Sequence, residues 1–307
     1  MFTICPKRRA VLDEAGHCLV LGGAGSGKTT LALMKASARL TAGLPPGQGV
    51  LFLSFSRAAV ARILDAAGDC VPKEQRPSLS IQTFHSFFWQ ILGGYGYLLG
   101  APRQLSIMLA HDEKAARDGI EADSPVWPEW EATRRRMFHE QGRVCFDLFA
   151  PLAAELLQRA ASIRDRVARR YPLILVDEAQ DTGDSQWACV KSLAGNSQVV
   201  CLADPDQMIY DFLPGVGPAR IDEIRAVLKP LEVDFEQENN RSPGTEIAAF
   251  ARDVLRGHAR GSRYNGVSRQ RFHSSVDART TAIRSSIGIL RRRVEEQTPR
   301  WTLQIRP

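Results

Sequence analysis

The sequence has no run of 18 apolar residues, so it offers no membrane-spanning helix. It has no Cys-x-x-Cys pair. Its six cysteines stand at 5, 18, 70, 145, 189 and 201, a spacing that excludes a zinc ribbon or a disulfide framework and fits reduced, mostly buried thiols. Residues 1–9 lack the apolar segment of a secretory leader. These absences lead us to expect a cytoplasmic protein without membrane contact. No repeat occurs at a period of 20–50 residues. Lysine is missing from residues 241–307, where 14 arginines and five acids leave a charge of +9. The whole 307-residue chain carries +6, so its first 240 residues carry −3. A basic final section on a mildly acidic body points to a polyanionic partner. An arginine-rich solvated surface is the bland alternative.

What is present organises around Gly22-Gly23-Ala24-Gly25-Ser26-Gly27-Lys28-Thr29-Thr30. This is the pattern G-x-x-x-x-G-K-[ST], set between an apolar strand candidate, 17–21, and a good helix former, 31–40. Glycines let successive N–H groups turn inward toward phosphate oxygens, and the helix N-terminus adds positive charge there. Lys28 is expected to reach the β- and γ-phosphates, and the Thr29 hydroxyl to bind Mg²⁺. Further apolar strands are expected at 50–55, 79–84, 171–176, 198–203 and 232–235, separated by helical stretches. That alternation predicts an α/β fold, a parallel sheet flanked by helices. The polar stretch 94–144 interrupts it and reads as a small helical insertion. A helix is expected at 245–256 and a last one at 280–296.

The strand at 173–176 runs into Asp177-Glu178-Ala179-Gln180-Asp181. A phosphate-loop protein needs an acid at a strand end to hold Mg²⁺. Asp177 fits that role, and Glu178 is then placed to orient or deprotonate an attacking water.

With these residues in hand the sequence resembles superfamily 1 DNA helicases of the UvrD/Rep type. Residues 22–30 resemble motif I, 54–59 motif Ia, and Thr83-Phe84-His85 the core of motif Ib. Residues 177–182 resemble motif II, 203–212 motif III, and 238–242 motif IV. The resemblance implies a RecA-like ATPase using ATP and Mg²⁺ on single-stranded or partly duplex DNA. It implies that Gln207 senses the γ-phosphate and that Arg241 acts as an arginine finger. It places Phe55, Thr83, His85, Tyr210 and Phe212 on segments that touch DNA. Core packing competes as a reading for Phe55, Tyr210 and Phe212, and bracing of the loop competes for Thr83 and His85.

The match departs from the pattern in four places. Lys7 stands where the family has an adenine-reading glutamine. Phe212 is followed by Leu213-Pro214-Gly215 instead of a basic segment. The insertion is short. No segment resembles motifs V and VI. The expected domains are therefore 1–93 with 145–232 as the first RecA-like domain, 94–144 as a reduced insertion, and 233–307 as a basic, partial second RecA-like domain. The alternative to a motor is an ATP- and DNA-binding regulatory module that needs a partner chain, for example a nuclease.

Overall fold

A computed structural model describes residues 4–208, 216–217, 219–235, 238, 240, 242, 244–258, 260–267, 280–281 and 283–287. The chain divides into two units, 1–243 and 244–307.

The first unit is built on six parallel strands: β1 (Cys18–Leu21), β2 (Val50–Ser54), β3 (Leu79–Thr83), β6 (Leu173–Val176), β7 (Gln198–Ala203) and β8 (Leu231–Asp234). Their order is β3-β2-β6-β7-β1-β8, and every pairing is parallel. Helices cover both faces, so β1, β2 and β6 are buried at every position. This is why they read as unbroken apolar runs. Alternate side chains still go to opposite faces. Cys18 and Val20 join the core under α1 (Pro6–Asp13), α2 (Lys28–Thr41) and α3 (Arg57–Cys70). Leu19 and Leu21 join the core under α4 (Phe84–Tyr95), α7 (Phe149–Arg159), α8 (Ala161–Arg170) and α9 (Asp184–Ala194).

The stretch expected to be a helical insertion holds two short paired strands as well as helices. β4 (Ser106–Met108) and β5 (Arg143–Cys145) run parallel, with Ile107 opposite Val144. Between them lie α5 (Ala110–Arg117) and α6 (Trp127–Gln141). Met108, Trp130, Phe138 and Val144 are buried in the same core cluster as α4 and α7, so the insertion is packed onto the first domain. The boundary expected at 233 also moves. β8 pairs with β1, Val20 opposite Val233, and so belongs to the first unit, which runs on to Pro243. α10 (Ala219–Leu228) precedes it.

The second unit contains α11 (Ile247–Leu255). A strap after it is tied back by Tyr264, whose hydroxyl donates to Asp253 Oδ2 at 2.6 Å, and by an Arg260–Glu246 ion pair at 2.8 Å. Residues 280–281 and 283–287 are helical, and the rest of the last expected helix lies outside the described residues. No helix among the described residues is long and apolar enough to cross a membrane.

Candidate nucleotide site and the edge beside it

In a parallel sheet the loops after the strands gather at one edge, and neighbouring strands bring distant sequence together. β6, β7 and β1 are adjacent, so the segments after Val176, Ala203 and Leu21 meet. They line a cleft of about 650 Å³ with the first turn of α2, Arg62 of α3 and Asn240. Gly25 (φ 82°) and Gly27 (φ 90°) take the left-handed backbone that the loop's curl requires. The first N–H groups of α2 have no intrahelical acceptor and face this curl. The Ser26 hydroxyl inside it is buried with no hydrogen-bond partner. Lys28 Nζ folds over the loop and donates to the Gly22 carbonyl and, at 3.2 Å, to that of Gly23.

Asp177 is 9% exposed, and Ser54 Oγ donates to its Oδ2 at 3.4 Å. Burial, reinforced by the Glu178 carboxylate, pushes the Asp177 carboxyl up to about 6, with Lys28 and Ser54 opposing. Burial likewise raises the pKa of Asp204, against the pull of Lys28. Glu178 sits in the left-handed region (φ 49°), a conformation that costs a non-glycine residue roughly 1–3 kcal/mol and concentrates at functional sites.

A buried amide joins the two acidic loops. Gln180 is 0% exposed. Its Nε2 donates to Glu178 Oε2 at 2.8 Å and to the Gln207 carbonyl at 3.1 Å, while its Oε1 accepts from Asp204 N at 3.1 Å. Gln207 in turn donates to Asp204 Oδ2 at 2.7 Å. From below, buried Arg8 donates to the Ser26 carbonyl at 3.1 Å, pairs with Glu238 and lies 4.9 Å from the Phe235 ring centroid. Asn240 binds the loop at two points, N to Gly25 O at 2.8 Å and Nδ2 to Ser26 O at 3.1 Å. Lys7 Nζ donates to the Asp234 carbonyl at 3.0 Å.

The donor set fits a magnesium–nucleotide. It offers unpaired helix-start N–H groups, an orphaned hydroxyl in the curl, one lysine, and a buried carboxyl whose charge a cation would compensate. Among the described residues no cluster of three His, Cys, Asp or Glu side chains forms a free-standing metal site.

Of the remaining expected residues, Phe55, Thr83 and His85 lie at the ends of β2 and β3, the two strands beyond β6 from β7 in the sheet order. Phe55 is half-buried and packs 5.1 Å from Phe84. Thr83 caps α4, its hydroxyl accepting from Ser86 N at 3.1 Å. The His85 ring faces the surface, 6.2 Å from both Phe146 and Phe149. Desolvation by these neighbours lowers its pKa, with Asp147 opposing. Phe146, 41% exposed, stacks on Phe149 at 5.2 Å. Tyr210, Phe212 and Arg241 lie outside the described residues.

The chain matches the UvrD/REP helicase N-terminal domain over residues 6–134 and 130–222. It belongs to that family. Among its relatives, the UvrD/REP domain here is 27% identical over 281 residues to ATP-dependent DNA helicase Rep of Salmonella typhimurium, covering 79% of this chain and 42% of that one. It is 24% identical over 307 residues to ATP-dependent DNA helicase UvrD1 of Mycobacterium leprae, covering 83% and 39%. The chain thus spans about two fifths of the length of these curated relatives. A solved Pif1 helicase from Candida albicans superposes with a TM-score of 0.45 at 13% identity, over 94% of this chain and 55% of that one. The parallel sheet with helices on both faces is a RecA-like α/β fold.

Sequence reasoning singled out Lys28, Thr29, Asp177, Glu178 and Gln207, and the structure brings them to one cleft. It gave no role to Arg8, Arg62, Gln180, Asp204, Asn240 or Phe146. Gln180 and Asp204 did carry a signal, being polar residues just past apolar strands.

Proposed function

We propose that this domain binds ATP with Mg²⁺, hydrolyses it, and couples hydrolysis to single-stranded DNA as part of a helicase or translocase. The observation that carries this reading is the meeting of Lys28, Asp177, Glu178 and Gln207 in one cleft at the ends of β1, β6 and β7. The loop N–H groups bind phosphate oxygens, and Lys28 leaves the Gly22 and Gly23 carbonyls to clamp them. Thr29 and Asp177 would hold Mg²⁺, which when bound neutralises charge on the phosphate oxygens. Glu178 orients the attacking water and takes its proton, and Gln180 fixes the carboxylate that does so.

The coupling reading rests on β2 and β6. Asp177 N donates to the Leu53 carbonyl at 2.9 Å and Ser54 binds the Asp177 carboxyl, so the residue before Phe55 is tied to the candidate metal ligand. A shift at the nucleotide is thereby transmitted to the edge carrying Phe55, His85 and Phe146, where rings can stack on bases of any sequence.

The test is steady-state ATP hydrolysis with and without an oligo(dT) strand. DNA raises turnover under this proposal. Binding of both ligands with turnover that Glu178→Gln leaves unchanged would instead support a regulatory module acting with a partner chain.

A further inference from the structure

The opposite edge of the sheet, where the strands begin, carries a second feature. The loop before β2, the ends of α4 and α8, and the turn before β3 enclose two adjoining clefts of about 550 and 620 Å³. They share Gly47, Gln48, Arg170 and Tyr171. Gly49 lines the second of them. A Cβ there would lie 2.4 Å from the Ser78 carbonyl oxygen, so the two walls can approach only at a glycine.

Arg76, Arg166, Arg169 and Arg170 line this double cleft, and no acidic side chain does. All four are exposed, and among the described residues none has an ion-pair partner. Three are held by neutral acceptors. Arg76 donates to the Val71 and Gly68 carbonyls at 2.9 and 2.6 Å, Arg169 to the Asp165 carbonyl at 3.3 Å, and Arg170 to the Tyr171 hydroxyl at 3.1 Å. These contacts orient the guanidinium groups without neutralising them.

The chemistry of the lining selects the ligand. Leu64, 53% exposed, lines only the cleft on the β3 side; in the one beside α8, Phe87, Ile91, Val167 and Tyr171 are each less than a tenth exposed, so they form a floor and present no protruding apolar anchor. Protein interfaces depend on such anchors. What reaches the surface is positive charge on planar forks, which match phosphate oxygens two at a time. Arg166, Arg169 and Arg170 stand at i, i+3 and i+4 on α8, about 5–6 Å apart at Cβ, a row able to follow a chain of phosphates.

We infer that this cleft is a second nucleic-acid site. It holds the phosphate backbone of a strand without reading sequence, at the sheet edge away from the nucleotide. Choosing DNA as the polyanion rests on the functional reading above, but the cleft needs neither nucleotide nor hydrolysis to bind it.

The experiment measures binding of the whole chain to a fluorescent oligo(dT) of roughly 40 nucleotides by anisotropy, between about 50 and 200 mM salt. The chains compared are wild type, Arg166→Ala with Arg169→Ala, and Arg166→Lys with Arg169→Lys. Each lost phosphate contact on a single strand flattens the log–log salt slope by about 0.7, so the alanine pair loses about 1.4 in slope and about 25-fold in affinity at 0.1 M salt. The lysine pair retains the slope, and nucleotide binding is the same in all three, which shows that the fold is intact. An unchanged slope in the alanine pair overturns the inference, as does an equal loss in the lysine pair. Failure of DNA to stimulate wild-type turnover would strike the proposed function instead, since this assay reads binding alone.

Discussion

Replacing Asp177 by asparagine should make the ligand-free protein more stable while removing its activity. The carboxyl is 9% exposed and its pKa is raised from 3.8 to about 6. Well below its unfolded pKa of 3.8 it is protonated in both folded and unfolded chains and contributes nothing. Between pH 4 and 6 the unfolded chain ionises first, so a penalty on folding accumulates, and above 6 it is complete. The displacement of the pKa corresponds to roughly 3 kcal/mol. Asparagine stands in for the neutral carboxyl beside Ser54, and the pull of Lys28 is already contained in the displaced pKa, so the gain at pH 8 is about 2–3 kcal/mol. At about 2–4 °C per kcal/mol for a domain of this size, Tm rises by about 4–12 °C. Thermal unfolding without nucleotide or Mg²⁺ at pH 8, 5 and 4 measures it. The gain should roughly halve at pH 5 and nearly vanish at pH 4. No gain at pH 8, or a gain just as large at pH 4, would refute the assignment of Asp177 as a charge-burying metal ligand. Such a trade of stability for function is what a site awaiting a cation predicts.

Other substitutions probe the rest of the site. Glu178→Gln should leave nucleotide affinity unchanged in equilibrium titration while lowering turnover by about 10²–10⁴. Gln180→Ala leaves the Asp204 N–H buried without its acceptor, so chemical denaturation should show a loss of about 1–3 kcal/mol, and turnover should fall with it. Phe146→Ala should spare basal hydrolysis but weaken single-stranded DNA binding by up to about 1–3 kcal/mol, the worth of one stacked base. Equal DNA affinity in that variant would remove Phe146 from the proposed DNA edge.

The parts of the fold that the sequence disclosed are those whose local pattern is forced by burial. β1, β2, β6 and β7 are enclosed on both faces, so each reads as an apolar run ending near the residue that carries chemistry. β8 reads Leu-Glu-Val-Asp because it lies at the sheet edge, with Val233 alone fully buried, and its sequence did not distinguish a sixth strand from the start of a second domain. β4 and β5 are three residues each, too short to show a period, and their pairing spans the insertion. The site divides the same way. Lys28, Asp177 and Glu178 belong to contiguous motifs. Gln180, Asn240 and Arg8 matter only because β6, β7, β1 and β8 are consecutive in space, an order no local pattern contains. Thr83 stands on a segment expected to touch DNA and also caps α4, a role that depends on where that helix begins.

The central claim, that the cleft at Lys28 hydrolyses ATP under the control of DNA, is tested most directly by one comparison. Initial rates of phosphate release are measured for wild type and Lys28→Ala, each with and without single-stranded DNA. The account predicts Mg²⁺-dependent release by wild type that DNA accelerates, and release by Lys28→Ala at background in both conditions. Equal rates in the two proteins, or a wild-type rate indifferent to DNA, would contradict it.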